Sequence, residues 1–175
     1  VEPVDLTEFV DPRAKRVVSV HGQTSLDYGK GVMTIDTPRA QGAVGFLGDA
    51  GVIELGDVTI RCGNEYATVV LVSLDDRPIA ESKRVLVQTM TVDRPYGYRE
   101  RNGEIVSVGS APIGVEKIAV ALRLEGEAWA GASVTALDEH GYATDRAVSI
   151  QRPGDGRVTL IALEPDAVYH VITRP

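Results

Sequence analysis

Apolar residues along this chain recur in short runs with a period of two, separated by turn-forming residues. The runs are Arg16 to Val20, Gly31 to Thr37, Tyr66 to Leu74, Arg84 to Val92, Lys117 to Leu124, Ser133 to Leu137, Ala147 to Gln151, Val158 to Leu163 and Val168 to Thr173. Side chains alternate across a strand, so Ile118, Val120, Leu122 and Leu124 share one face while Ala119, Ala121 and Arg123 share the other. A strand of that kind covers a core with one face, as antiparallel sheets do. The run Ala67 to Val72 is apolar on both faces and predicts a strand near the middle of a sandwich.

Between the runs lie Asp75-Asp76-Arg77-Pro78, Asn102-Gly103, His140-Gly141 and Pro153-Gly154-Asp155-Gly156. Gly and Asn tolerate positive φ and Pro fixes φ, so these segments reverse the chain at little cost. No window carries the 3.6-residue apolar stripe of an amphipathic helix. The pattern therefore predicts an all-β, antiparallel β-sandwich, jelly-roll-like or Ig-like, with little or no helix, and excludes a parallel α/β fold. The polar segment Asp93 to Asn102 is read as a long loop inside one module spanning residues 1–175. The alternative is two β subunits with a break near 93–116, where Gly109 to Glu116 is also irregular.

Composition narrows the function classes. The chain has 175 residues, long enough for a sizeable core without covalent staples, and its one cysteine, Cys62, permits no intramolecular disulfide. Its net charge is −7 with acidic and basic residues interspersed, which argues against nucleic acid as a partner. No apolar run approaches the roughly 20 residues of a membrane helix, so no membrane partner is expected.

Catalytic constellations are sought and not found. Glu125 and Glu127 flank Gly126 at a strand end and read as a solvated turn. There is no nucleophile elbow. Cys62 reads as a small buried hydrophobe. His21, His140 and His170 are too scattered for metal-ligand spacing, Asp138-Glu139-His140-Gly141 reads as a hairpin turn, and no cofactor motif appears. Gly42, Gly45 and Gly48 are expected at bulges or close packing rather than around a phosphate.

The aromatic residues are the remaining candidates. Rings on a β-sandwich can stack on the apolar faces of sugars while Tyr and Trp also offer a polar handle. The candidate carbohydrate-binding residues are Tyr96 and Tyr98 with Arg94, Arg99 and Glu100 in the same charged segment, then Trp129 and Tyr28. For Trp129, between alanines, core packing is the competing role. In an extended segment Tyr96 and Tyr98 would project to the same side.

Two segments carry a resemblance. One runs from Ser25-Leu26-Asp27-Tyr28-Gly29 through Asp36-Thr37-Pro38-Arg39 and Phe46 to Leu74, with a Ser73-Leu74-Asp75 turn. The other is Gly131 to Thr173 around Val134-Thr135-Ala136-Leu137-Asp138-Glu139-His140-Gly141. Together they resemble the C-terminal β-sandwich accessory regions of large bacterial glycoside hydrolases. The resemblance implies an extracellular or periplasmic setting within a larger secreted, polysaccharide-degrading enzyme, from which this piece, beginning at Val1, would be excised. It transfers no catalytic residue.

The leading expectation is a non-catalytic accessory module that packs against the catalytic domain of the same polypeptide. The alternative is a carbohydrate-binding module that targets that enzyme to polysaccharide. An independent enzyme ranks third. An uncovered apolar face would favour the first, exposed rings the second, and a deep pocket with converging carboxylates the third.

Overall fold

The two longest strands, β8 (Ala67–Ser73) and β9 (Arg84–Thr91), pair antiparallel inside a nine-stranded sheet in the computed structural model, which describes residues 5–175. On one side of them lie β5 (Ala40–Gly45), β4 (Val32–Asp36), β3 (Thr24–Asp27), β2 (Arg16–Val18) and β1 (Val10–Asp11); on the other lie β18 (Tyr169–Thr173) and β15 (Ser133–Leu137). A five-stranded sheet packs over part of this one, in the order β16 (Ser149–Gln151), β17 (Val158–Ala162), β14 (Val120–Glu125), β7 (Val58–Cys62) and β6 (Val52–Glu54). Among the described residues every strand pair is antiparallel, and helix is confined to one turn, α1 (Leu47–Ala50), and a 3-10 turn at Glu127–Trp129. The expected all-β antiparallel sandwich is the fold.

Alternation builds the core. Val69 and Leu71 of β8, Val85 and Val87 of β9 and Ile172 of β18 form one buried cluster with Val58 and Ile60 of β7, Val120, Leu122 and Leu124 of β14 and Ile161 of β17. Burying each such side chain contributes about 1.5–3 kcal/mol. Two glycines of β5 are required by close packing: a Cβ would run into the Val69 carbonyl at Gly42 and into the Gly31 carbonyl at Gly45, which also has φ +131°. Cys62 is buried, as its surroundings suggested.

Polar side chains tie the sheets where strands end. Gln41 Nε2 donates to Asp57 Oδ2 at 2.8 Å and its Oε1 accepts from the Asp57 amide at 2.9 Å, joining β5 to the β6–β7 turn. Buried Asn64 donates to the Lys117 carbonyl and accepts from the Ala119 amide, both at 2.8 Å, fixing the entry to β14. At the opposite end Arg174 lies over the Trp129 ring, 4.4 Å from its centroid, and donates to the Ser82 and Ala80 carbonyls.

The segment after β9 is not an irregular loop. β10 (Asp93–Tyr96) pairs with β13 (Ser110–Val115), and β11 (Arg99–Arg101) pairs with β12 (Glu104–Ser107), making a bent hairpin arm. Its tip is Asn102-Gly103, both at positive φ, the two-residue turn that this dipeptide favours. Strands before and after the arm interleave in both sheets, β14 beside β7 and β18 beside β9. The chain thus leaves for the arm from the larger sheet at β9 and returns into the smaller sheet at β14.

His170 is fully buried on β18, and its Nε2 accepts the Glu164 amide at 2.9 Å, so the neutral ring carries its proton on Nδ1. Burial pushes its pKa down from 6.5 to about 4. The unfolded chain therefore takes up this proton first as pH falls. The stabilisation is fully present above about pH 6.5 and is lost progressively towards pH 4, worth on the order of 3 kcal/mol at most. Urea midpoints should fall over that interval for the native chain and fall less for His170→Gln; equal slopes would contradict the assignment. Separately, Arg174→Ala should lower the thermal midpoint by roughly 4–8 °C, through loss of about 2 kcal/mol of stacking and hydrogen bonding. An unchanged midpoint would show that the Trp129 end closes without it.

Candidate functional site

Among the described residues, three surfaces bear on a partner or ligand. The first is the outer face of the nine-stranded sheet. Residues directly opposite one another on paired strands share a face, so the ladder defines three rows. One runs Val10, Val17, Leu26, Met33, Val44, Thr68, Met90. The next runs Thr24, Ile35, Gly42, Val70, Gln88, Tyr169, Leu137, and the third Ala40, Val72, Leu86, Val171, Thr135. Most of these positions are apolar, and none lies in the buried core cluster.

The polarity of the first strands makes the point sharper. The five-stranded sheet ends at β6, and β1 to β3 extend the larger sheet away from it. On the inner side of that extension stand Asp11, Arg16 and Asp27 in one row, which reaches the core at Val32, and Val18, Ser25 and Thr34 in the next. Val10, Val17, Leu26 and Met33 stand on the outer side. The apolar stripe of these strands points away from the sandwich's own core.

The second surface is the outer face of the five-stranded sheet, a groove of about 870 Å³. Glu54, Thr59, Arg61, Arg123, Glu125 and Gln151 line it together with Val52, Ala121 and Leu160, and no aromatic ring contributes. Arg123 pairs with Glu125 at 2.7 Å. Glu127 is on a different element, the 3-10 turn, where it meets Arg157 at 3.6 Å, so the Glu125/Glu127 pair forms no joint site.

The third surface is a cleft of about 800 Å³ at the root of the arm. Phe46 follows β5 and Tyr66 precedes β8, so both rings stand at the same end of adjacent strands. They pack edge to face, with centroids 5.4 Å apart at 80°. The arm adds Arg94, Pro95, Tyr96, Tyr98 and Pro112 to the lining, and Glu65 and Glu116 complete its charged groups. Arg94 lies over the Tyr98 ring at 4.9 Å, and the Tyr98 hydroxyl donates to Glu100 Oε2 at 3.3 Å. Gly97 at φ +77° and the Tyr98 amide, which donates to the Pro95 carbonyl at 3.1 Å, turn the chain between the tyrosines. The extended segment expected between Tyr96 and Tyr98 is replaced by this turn.

The predicted site residues therefore separate. Arg94, Tyr96 and Tyr98 come together in the cleft; Glu100 touches it only through Tyr98. Arg99 is exposed on β11 opposite Ser107, outside the lining, and Tyr28 is exposed in the β3–β4 turn, also outside it. Trp129 is only 3 % exposed, its ring covered by Arg174, so it is a core residue and cannot stack on a ligand. Phe46, Glu65, Tyr66 and Glu116 were missed. The available signal was period two: Phe46 continues the outward series Ala40, Gly42, Val44, and Tyr66 begins the series Thr68, Val70, Val72.

Among the described residues no group of three or more His, Cys, Asp or Glu is gathered as a metal site would require. No family model, curated protein or solved structure matches the chain.

Proposed function

We propose that this chain is a non-catalytic accessory β-sandwich that packs against the catalytic domain of a polysaccharide-degrading glycoside hydrolase, the two being parts of one secreted polypeptide. The observation that carries the reading is the outer face of the nine-stranded sheet. Three cross-strand rows of mainly aliphatic side chains make an apolar surface, to which the outermost strands contribute Val10, Val17 and Leu26. Contiguous exposed apolar surface of this kind is rare on free-standing domains and marks an interface. Burial at about 25 cal/mol per Å² supplies the driving force for docking. The identity of the partner rests on the resemblance to glycoside hydrolase accessory regions.

The chain's two methionines, Met33 and Met90, both lie in the first row of this face, 37 % and 38 % exposed. That makes peroxide oxidation a footprint of it. In the isolated chain both thioethers should oxidise at rates near those of free methionine. In the polypeptide that retains the catalytic domain both should be protected about tenfold or more. Equal rates in the two proteins would mean the face stays open and the docking reading is wrong.

A further inference from the structure

We infer that the cleft at the root of the arm is a binding site for a neutral saccharide, one that takes a pyranose ring against its aromatic walls. The chain has only nine aromatic residues, and four of them, Phe46, Tyr66, Tyr96 and Tyr98, line this one cleft. Three are held well into solvent: Phe46 is 46 %, Tyr66 42 % and Tyr96 76 % exposed. Large rings favour burial, so a cluster left open at a concave site is more telling than one exposed ring on a convex surface.

The chemistry of the lining selects the ligand class. A pyranose presents apolar C–H faces and a rim of hydroxyls, matching rings flanked by charged hydrogen-bonding groups. Here Arg94 supplies donors, and Glu65 and Glu116 supply carboxylate acceptors for hydroxyl protons. Two carboxylates against one guanidinium, on a chain of net charge −7, disfavour uronate or sulfated polymers and favour uncharged ones. The cleft's volume of about 800 Å³ is in the range of ligand sites and holds more than one sugar ring. The walls are partly ordered beforehand: Tyr98 is held between Arg94 and Glu100, and Phe46 against Tyr66. Preorganised rings lose little freedom when a ligand stacks on them.

This inference does not rest on the docking reading and is tested without it. The 175-residue chain is run by affinity electrophoresis through gels containing hydroxyethyl cellulose, xylan, galactomannan, laminarin or agarose, with alginate as the acidic arm. At least one neutral polymer should retard it. Tyr66→Ala and Tyr98→Ala should each weaken that retardation about five- to tenfold. Tyr142→Ala, which removes a 72 % exposed ring outside the cleft, should leave it unchanged. Tyr96→Ala removes a ring mostly in solvent and keeps the test valid if another variant folds poorly. It should lower affinity with an unchanged melting temperature. No retardation by any neutral polymer, retardation by alginate alone, or full retardation of the Tyr66 and Tyr96 variants would each overturn the assignment. Loss of oxidation protection at Met33 and Met90 would bear only on the docking face.

Discussion

The arrangement depends on one constraint: the central strands of the larger sheet are apolar on both faces, and the smaller sheet covers only one of them. In β8, Val69 and Leu71 point inward and are fully buried, while Val70 and Val72 point the other way. In β9, Val85 and Val87 are buried while Leu86 and Met90 are not. Five strands lie over nine, so the rest of the sheet cannot be sandwiched within this chain. The edge strands β1 to β3 put mostly polar residues on the inner side, Asp11, Arg16, Ser25 and Asp27, with Val18 the exception, and Val10, Val17 and Leu26 on the outer. A one-residue register slip would invert that choice, which is why alternation specifies the face so firmly.

The site at the arm follows from the same ladder. β5, β8 and β9 end side by side, so the residues just beyond their ends, Phe46, Tyr66 and Val92, meet without any loop having to bring them together. The arm leaves there and returns there: the Glu116 amide donates to the Val92 carbonyl at 3.0 Å, and the Thr91 hydroxyl donates to the Glu116 carbonyl. Gly109 at φ +71° lets the returning strand pass the Pro95–Tyr98 turn, since a Cβ there would sit 2.7 Å from the Tyr98 nitrogen. The arm's aromatic residues thereby line the same cleft as those of the sandwich.

Much of this was legible in the sequence where local rules decide. The long alternating runs became strands with ends shifted by a residue or a few, and Asn102-Gly103 became a hairpin tip because positive φ at both positions suits those residues. The strands β5 and β7 do not stand out as alternating runs, although the close packing expected at Gly42 and Gly45 is what the ladder shows: a Cβ would run into the Val69 and Gly31 carbonyls. The arm reads as a loop in the sequence because Arg99, Glu100 and Arg101 lack an apolar face, and only cross-strand partners make them a strand. For the cleft, Arg94, Tyr96 and Tyr98 stood out by local crowding, whereas Phe46 and Tyr66 join them through pairing between distant segments. Trp129 could not be placed from sequence, because Arg174, which covers its ring, lies 45 residues later (174 − 129).

Adjacent residues on one central strand give the most direct test of the two-faced sheet. Val69 and Val70 differ only in the face they occupy, so Val69→Thr and Val70→Thr impose the same chemical change on the two sides of β8. With the outer face uncovered in this chain, Val69→Thr should lower the free energy of unfolding, measured by urea titration, by about 1–3 kcal/mol through a buried hydroxyl. Val70→Thr should change it by no more than about 0.5 kcal/mol. Equal, large losses at both positions would mean that the chain buries its own outer face, and that no partner is needed to cover it.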